Sequence, residues 1–299
     1  MKKGSIGPPN LYLGNKVSKV TIENGVQCWS FSSARYIHEA INNVESHIKS
    51  MSHTLPNKAS APFQTNYRLE IDISAELSHS DANYYQSFIG ILRWIVKLGR
   101  IYIAVEVSMM SSMMAMPRQD HLQQLYHIFS YLKQRYNSEM VFDPTVPTFD
   151  ETKFQKQDWR YTPYLGAKEP IPSNAPTSRG LGFTMNANVD SDHASNNLTR
   201  HSRTGHIIFL NSSPIYSHTK KHGGIKTSSF GPEFVAMKQC CEYIRGLRFK
   251  LRMMGIEVNC PILILGDIKS VNVNSSIPTS VLRKNSNSIA YYFVREGTA

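Results

Sequence analysis

Leu11 to Ile22 and Val26 to Phe31 are rich in β-forming residues, and Glu23-Asn24-Gly25 lies between them. Asn-Gly is a favoured tight-turn pair, so the chain is expected to open on a hairpin. Ser32-Ser33 then offers an N-cap to a helix with Tyr36, Ile37, Ala40, Ile41, Val44 and Ile48 on one side. From Ser52 to Ser80, Pro, Ser, Asn and Ala prevail and periodicity fades, which reads as a connector. A helical group follows. Asp81 is placed to cap a helix carrying Tyr84, Tyr85, Phe88, Ile89, Leu92, Ile95 and Val96. Ile101 to Met114 makes a second helix, and Arg118 to Tyr136 a third with Leu122, Leu125, Ile128, Phe129 and Leu132. Met109, Met110, Met113, Met114 and Met116 read as irregular core filling.

Asp143 to Gly180 holds Pro144, Pro147, Pro163, Pro170, Pro172 and Pro176 among scattered Gly, Ser and Asn. A loop of that length inside one compact domain is unusual, so a linker over 146–180 is expected between domains at 1–145 and 181–299. Alternation then returns. Phe183, Met185, Ala187 and Val189 form a strand that ends on Asp190. Gly205 to Leu210 and Ile215 to His218 follow as strands, with Asn211-Ser212-Ser213-Pro214 as the turn between them. Thr227 to Pro232 is a cap-like cluster, placing Glu233 in the first turn of a helix. That helix carries Phe234, Met237, Cys241, Ile244, Leu247, Leu251 and Met254 at helical spacing and stops at Gly255. Ile262 to Gly266 has the length and composition of a fully buried central strand, closed by Asp267. A parallel crossover from the first strand to this one keeps Asp190 and Asp267 at one sheet edge. The fold class is α+β or α/β, a helical first region followed by a mixed sheet with helices.

Charge narrows the partners. The 33 Lys+Arg against 22 Asp+Glu give a net charge of +11, which favours a polyanion or an anionic surface. Cys28, Cys240, Cys241 and Cys260 form no C-x-x-C pair, so a reduced, intracellular chain is expected. The longest apolar candidate, Phe88 to Val107, is broken by Arg93, Lys97, Arg100 and Glu106, so no membrane span is expected. Met1-Lys2-Lys3-Gly4 leads into no apolar core, which argues against a signal peptide and for a cytoplasmic setting with possible nuclear entry.

Asp190, Glu233 and Asp267 are the candidate chemistry. Two strand ends and one helix start can converge, and converging carboxylates resist joint ionisation unless a cation shares the pocket. Hard oxygen ligands without a His/Cys cluster suit Mg²⁺ or Mn²⁺ rather than zinc. Taken singly, each acid has a plainer role, as a turn residue, a helix-start acid or a strand-end cap. Asp192 either supports the metal shell or closes its loop. His193, His201, His206, His218 and His222 match no zinc spacing and read as surface or strand residues. Lys220, Lys221, Lys226, Lys238, Arg245, Arg248, Lys250 and Arg252 are either solvated decoration or a phosphate-holding surface. Asn196, Asn197, Ser228 and Ser229 are candidates to contact 2′-hydroxyls.

The words Val189-Asp190-Ser191-Asp192-His193-Ala194, Arg203-Thr204-Gly205, Pro214-Ile215-Tyr216, Lys220-Lys221, Ser228 to Phe234, Gly266 to Ser270 and Tyr291 to Glu296 resemble, in order and spacing, the ribonuclease H region of copia-class LTR retrotransposon polyproteins. Asn10 to Gly14, Tyr85 to Trp94 and His121 to Lys133 resemble that family's late reverse transcriptase, with its thumb and connection helices. The resemblance implies a ribonuclease H fold that cuts the RNA strand of an RNA/DNA hybrid with Mg²⁺ or Mn²⁺ held by Asp190, Glu233 and Asp267. From the basic cluster and its neighbouring hydroxyls, Lys220, Lys221, Lys226, Ser228, Ser229, Arg245 and Arg248 are the candidate nucleic-acid contacts; the resemblance implies other parts of the element's polyprotein as partners and a virus-like particle in the cytoplasm as the setting.

Departures qualify this. No Asp-Asp pair occurs, so polymerisation is not expected from this chain. Tyr102 stands where the family has an Asp after Arg100, implying loss of a local capping or ion-pair role. Ile268 replaces an Asn, Tyr292 a His, and Pro232 precedes Glu233. The family's fourth carboxylate, in a Pro-Ala-Asp segment, has no counterpart before Ala299. The expectation is an incomplete ribonuclease H domain with weak metal binding and little or no nuclease activity, the alternative being a non-catalytic nucleic-acid-binding remnant.

Overall fold

The structure, a computed structural model, describes residues 7–50, 52, 54–150, 152, 156–225, 228–282 and 287–299. The chain divides into two compact units, Met1–Asp143 and Pro144–Ala299. Both mix helix and sheet, and the class is α+β. No helix among the described residues is long and apolar enough to cross a membrane.

In the first unit, β1 (Leu11–Tyr12), β2 (Asn15–Thr21), β3 (Gln27–Ser32) and β4 (Glu139–Phe142) form an antiparallel sheet in that order. The expected hairpin is β2 and β3, paired from Lys16↔Ser32 to Thr21↔Gln27. Gly25 takes a φ of +81° in its turn, a conformation glycine reaches without strain. Strand β4 was not anticipated, because four residues between a helix and a Pro-rich stretch carry too little alternation to register. Helix α1 (Ala34–Ser50) buries Ile37, Ala40, Ile41, Val44 and Ile48 against α2 (His79–Lys97) and α4 (Gln119–Gln134).

Three local expectations change. Ser78 caps α2, its Oγ accepting the Asp81 N–H, while Asp81 sits in the first turn where the helix dipole favours a negative charge. The second helix shrinks to a 3₁₀ turn, Ile101–Ile103, and α3 (Ala104–Ser111), since Ser111 and Ser112 turn their hydroxyls back on the Val107 and Met109 carbonyls. Arg100 finds neutral acceptors in place of the acid that Tyr102 replaces. Buried, it donates to Ser33 Oγ at 3.0 Å, to the carbonyls of Arg135 at 3.1 Å and Tyr136 at 2.6 Å, and to the Tyr102 hydroxyl at 3.3 Å.

The connector is fastened. His121, Gln124, His127 and Ser130 recur every three residues along α4, a polar stripe that is buried. His121 Nδ1 accepts the Arg118 N–H, so Nε2 carries the proton it gives to Leu69 O at 2.9 Å. Gln124 donates to Pro62 O at 3.1 Å, His127 Nε2 to Ala61 O at 3.0 Å, and Ser130 to Pro56 O. An irregular segment with no ladder of its own thus has its carbonyls satisfied by a helix.

The second unit holds β5 (Phe183–Ser191), β6 (Arg203–Leu210), β7 (Ser213–Lys221) and β8 (Val258–Gly266) in the order β7-β6-β5-β8. The first three are antiparallel, and β8 joins β5 in parallel after helix α5 (Phe230–Met253). Met185, Ala187, Val189 and Ile208 meet Ala236, Cys240, Ile244 and Leu251 in the core between sheet and helix. Gly255, at φ +73°, ends α5 in a Schellman motif, with Gly255 N–H on Arg252 O and Ile256 N–H on Leu251 O. Strand β8 was expected to be central and fully buried; it is an edge strand, and Ile262 to Leu265 are half-buried.

Helices α6 (Lys269–Ser276) and α7 (Ser288–Thr298) pack against α5 through Val271, Ala290, Tyr291 and Val294. The Pro-rich stretch expected as a linker is tied to this unit. Asn211 Nδ2 donates to Pro144 O at 2.8 Å, Arg179 N to Gly255 O at 2.8 Å, and Glu169 takes both Arg248 and Arg252.

Candidate metal centre

The parallel pairing of β5 with β8 builds the site. Val189 lies opposite Gly266, so the next residues along, Asp190 and Asp267, emerge side by side from neighbouring strands roughly 4.8 Å apart. Asn272 Nδ2 holds the end of β8 by donating to Gly266 O at 2.8 Å. Helix α5 supplies the third acid from its first turn, where Pro232 costs no intrahelical bond because its N–H would have been an orphan. One ligand atom from each of Asp190, Glu233 and Asp267 falls within 4.8 Å of the others. The expected convergence is therefore present.

Burial differs among the three: Asp190 and Asp267 are exposed, and Glu233 is only 4% exposed. Burial first, and then the charges of Asp267 and Asp190, push the Glu233 carboxyl up to about 7. The Ser191 N–H, 3.0 Å from Glu233 Oε1, acts the other way. Without a cation Glu233 favours its protonated form below about pH 7, and a divalent ion beside the three acids would oppose that. The donor set is three hard oxygens, which fits Mg²⁺ or Mn²⁺.

Asp192 stays outside this group. Its Oδ1 accepts the Arg203 N–H, its Oδ2 the Ser195 hydroxyl, and its N–H donates to Arg203 O, so of its two open roles the loop-closing one is observed. Among the described residues no histidine joins the carboxylates. His206 is a buried core residue of β6, ringed by Tyr216, His218 and Tyr243 at 5.9, 5.0 and 5.2 Å. Burial, and secondarily His218, push it down to about 4.

The basic candidates separate into two groups. Asp190 lies opposite Gly205, and Gly205 opposite Thr219, so Lys220 and Lys221 extend from the same end of the sheet about 10 Å across from Asp190. Ser228, half-buried, and Ser229, exposed, immediately precede α5, while Lys226 lies outside the described residues. Arg245 and Arg248 sit about 18 to 22 Å along the helix from Glu233 and serve the fold. Arg245 pairs with Glu296 at 3.2 Å and lies over Phe293, and Arg248 grips Glu169 at 2.9 Å. Asn196 turns its carbonyl to the Thr199 N–H at 2.7 Å.

Sequence reasoning missed Arg295. It is buried, donates to the carbonyls of Asn274, Ile277 and Pro278 and to Ser280 Oγ, and lies among the rings of Trp159, Tyr164 and Tyr291. Its signals are its place in the Tyr291 to Glu296 word, where the resemblance gives it no role, and its position beside Val294 on the apolar side of α7. No protein-family model matches the chain, and no curated protein matches it.

Proposed function

We propose that the second unit is a ribonuclease H-type centre that hydrolyses the RNA strand of an RNA/DNA hybrid, in a chain derived from a copia-class retrotransposon. The observation that carries this reading is the meeting of Asp190, Glu233 and Asp267 at the ends of parallel neighbours β5 and β8 and the start of α5. The strand order β7-β6-β5-β8, with three antiparallel strands first and a parallel fourth, supports this reading, since the resemblance implies a sheet that opens in that way. Divalent ions, when bound, activate a water and steady the leaving oxygen of a phosphodiester. Glu233 is buried while Asp190 and Asp267 are exposed, so a phosphate can approach the three acids from the solvent side. Lys220 and Lys221 draw the backbone of a polyanion to that end of the sheet, with an affinity that falls as salt rises.

Three carboxylates leave several of an ion's coordination positions to water and to the phosphate oxygens of a substrate. The first unit, under this reading, descends from thumb and connection helices and contributes no polymerisation. The test is Mg²⁺-dependent cutting of a labelled RNA/DNA hybrid by the purified chain and by Asp190→Asn. Cutting by the parent chain alone supports the reading. Equal cutting by both sinks the assignment of the centre, and salt-sensitive binding with no cutting by either favours the non-catalytic remnant.

A further inference from the structure

We infer that Asp192 is a positioning residue for the carboxylate centre, acting through the Ser191 amide; this rests on the metal-centre reading above. The ladder between β5 and β6 reaches its last pair at Ser191↔Thr204. Asp192 carries it one step further. Its N–H donates to Arg203 O at 3.1 Å, and its side-chain Oδ1 receives the Arg203 N–H, so the carboxylate stands in for the strand carbonyl that would come next. Oδ2 receives the Ser195 hydroxyl, and Ala194, at φ +52°, gives its N–H to Ser202 Oγ at 3.1 Å. One carboxylate thereby closes the loop between the two strands from both sides.

The consequence lies one residue earlier. Ser191 N–H is 3.0 Å from Glu233 Oε1, a bond that reaches from the end of β5 to the first turn of α5. An amide at the last rung of a ladder points in a fixed direction only if the backbone beyond it is also held. Asp192 supplies that hold, and so sets where the Glu233 oxygen rests relative to Asp190 and Asp267. What the role needs is an acceptor, not a charge. Asparagine presents the same Oδ1, whereas alanine presents nothing to Arg203 N–H.

Two measurements on the full chain test this. Calorimetric titration with Mn²⁺ is expected to show affinity reduced about tenfold in Asp192→Ala, the scale typical of groups that orient metal ligands, and within about twofold of the parent in Asp192→Asn. In metal-free protein, hydrogen exchange at the Ser191 amide is expected to quicken at least tenfold in Asp192→Ala and to stay unchanged in Asp192→Asn. Near-UV circular dichroism checks that each variant keeps its packing. Affinity and exchange unchanged in Asp192→Ala overturn the inference, as does an Asp192→Asn that falls as far as Asp192→Ala, which would assign the role to charge. If the parent chain binds no Mn²⁺, the metal-centre reading fails, and the Ser191 amide then decides whether Asp192 still orders that strand end.

Discussion

Each unit holds one cluster that sets the two apart, although buried Arg295 of the second is fully engaged and the Tyr126 hydroxyl of the first has no hydrogen-bond partner among the described residues. In the first, His121, Gln124, His127 and Ser130 are buried and each ends on a carbonyl of the connector, while buried Arg100 serves four acceptors. In the second, Glu233 is buried facing two like charges, and neither ring nitrogen of His206 has a hydrogen-bond partner among the described residues. Buried polarity that is satisfied is architecture. Buried polarity left at odds with its surroundings costs stability, and at Glu233 that cost falls beside the exposed Asp190 and Asp267, which makes the three acids the candidate functional site.

That contrast can be broken most directly at Arg100. Arg100→Ala strands the Arg135 and Tyr136 carbonyls and is expected to destabilise the first unit by about 3 kcal/mol, read by urea denaturation. A loss below about 1 kcal/mol would mean that water replaces the guanidinium and that this network is not structural.

His206 gives the next effect. Its folded value near 4 lies below the ordinary 6.5, so the unfolded chain takes up a proton first as pH falls. The stability it contributes is complete above about pH 6.5 and is lost as pH falls toward 4. His206→Phe should flatten that part of the profile by about 2 kcal/mol, measured by thermal unfolding from pH 7 to pH 4.5. Parallel profiles in parent and variant would remove His206 as the cause.

Glu233 runs the other way, since its raised value makes the protonated form the one the fold prefers. In metal-free protein its favourable contribution is complete below about pH 4.5 and lost as pH rises through 7. At pH 8, Glu233→Gln should therefore stabilise the metal-free second unit by about 1 kcal/mol, less than the full shift implies because solvent reaches the pocket past Asp190 and Asp267. Mg²⁺ should raise the unfolding temperature of the parent chain at pH 8, do little at pH 5.5, and do little to the variant at either. A variant less stable than the parent without metal would show Glu233 to be a satisfied structural acid. The smallest effect is at the exposed Arg35–Glu39 pair, where Arg35→Ala should change stability by less than about 0.5 kcal/mol in denaturant titrations.

Much of this was written plainly in local pattern. The Asn-Gly turn, the alternation ending at Asp190, the cap-like cluster before Glu233 and the apolar run before Asp267 each announce an element, and two strand ends plus a helix start limit where three acids can go. What stayed hidden depends on partners far along the chain. The burial of the polar stripe of α4 could not be read because its acceptors lie 52 to 74 residues upstream in a segment without periodicity. Likewise, Arg245 and Arg248 look like a phosphate surface until Glu296 and Glu169 arrive from elsewhere. The half-exposure of β8 was illegible because an apolar run states a preference for burial and not whether a neighbour is present.

The pairing of Val189 with Gly266 also dictates when the pocket comes into being. Those residues are joined by two antiparallel strands and a 24-residue helix, so their union is a long-range closure, among the slower events of folding. A nascent or partly unfolded chain possesses the three acids without possessing the cage. A divalent ion held by the three acids, as proposed, would therefore reward only the finished second unit, a seal on its completion rather than a template for its beginning.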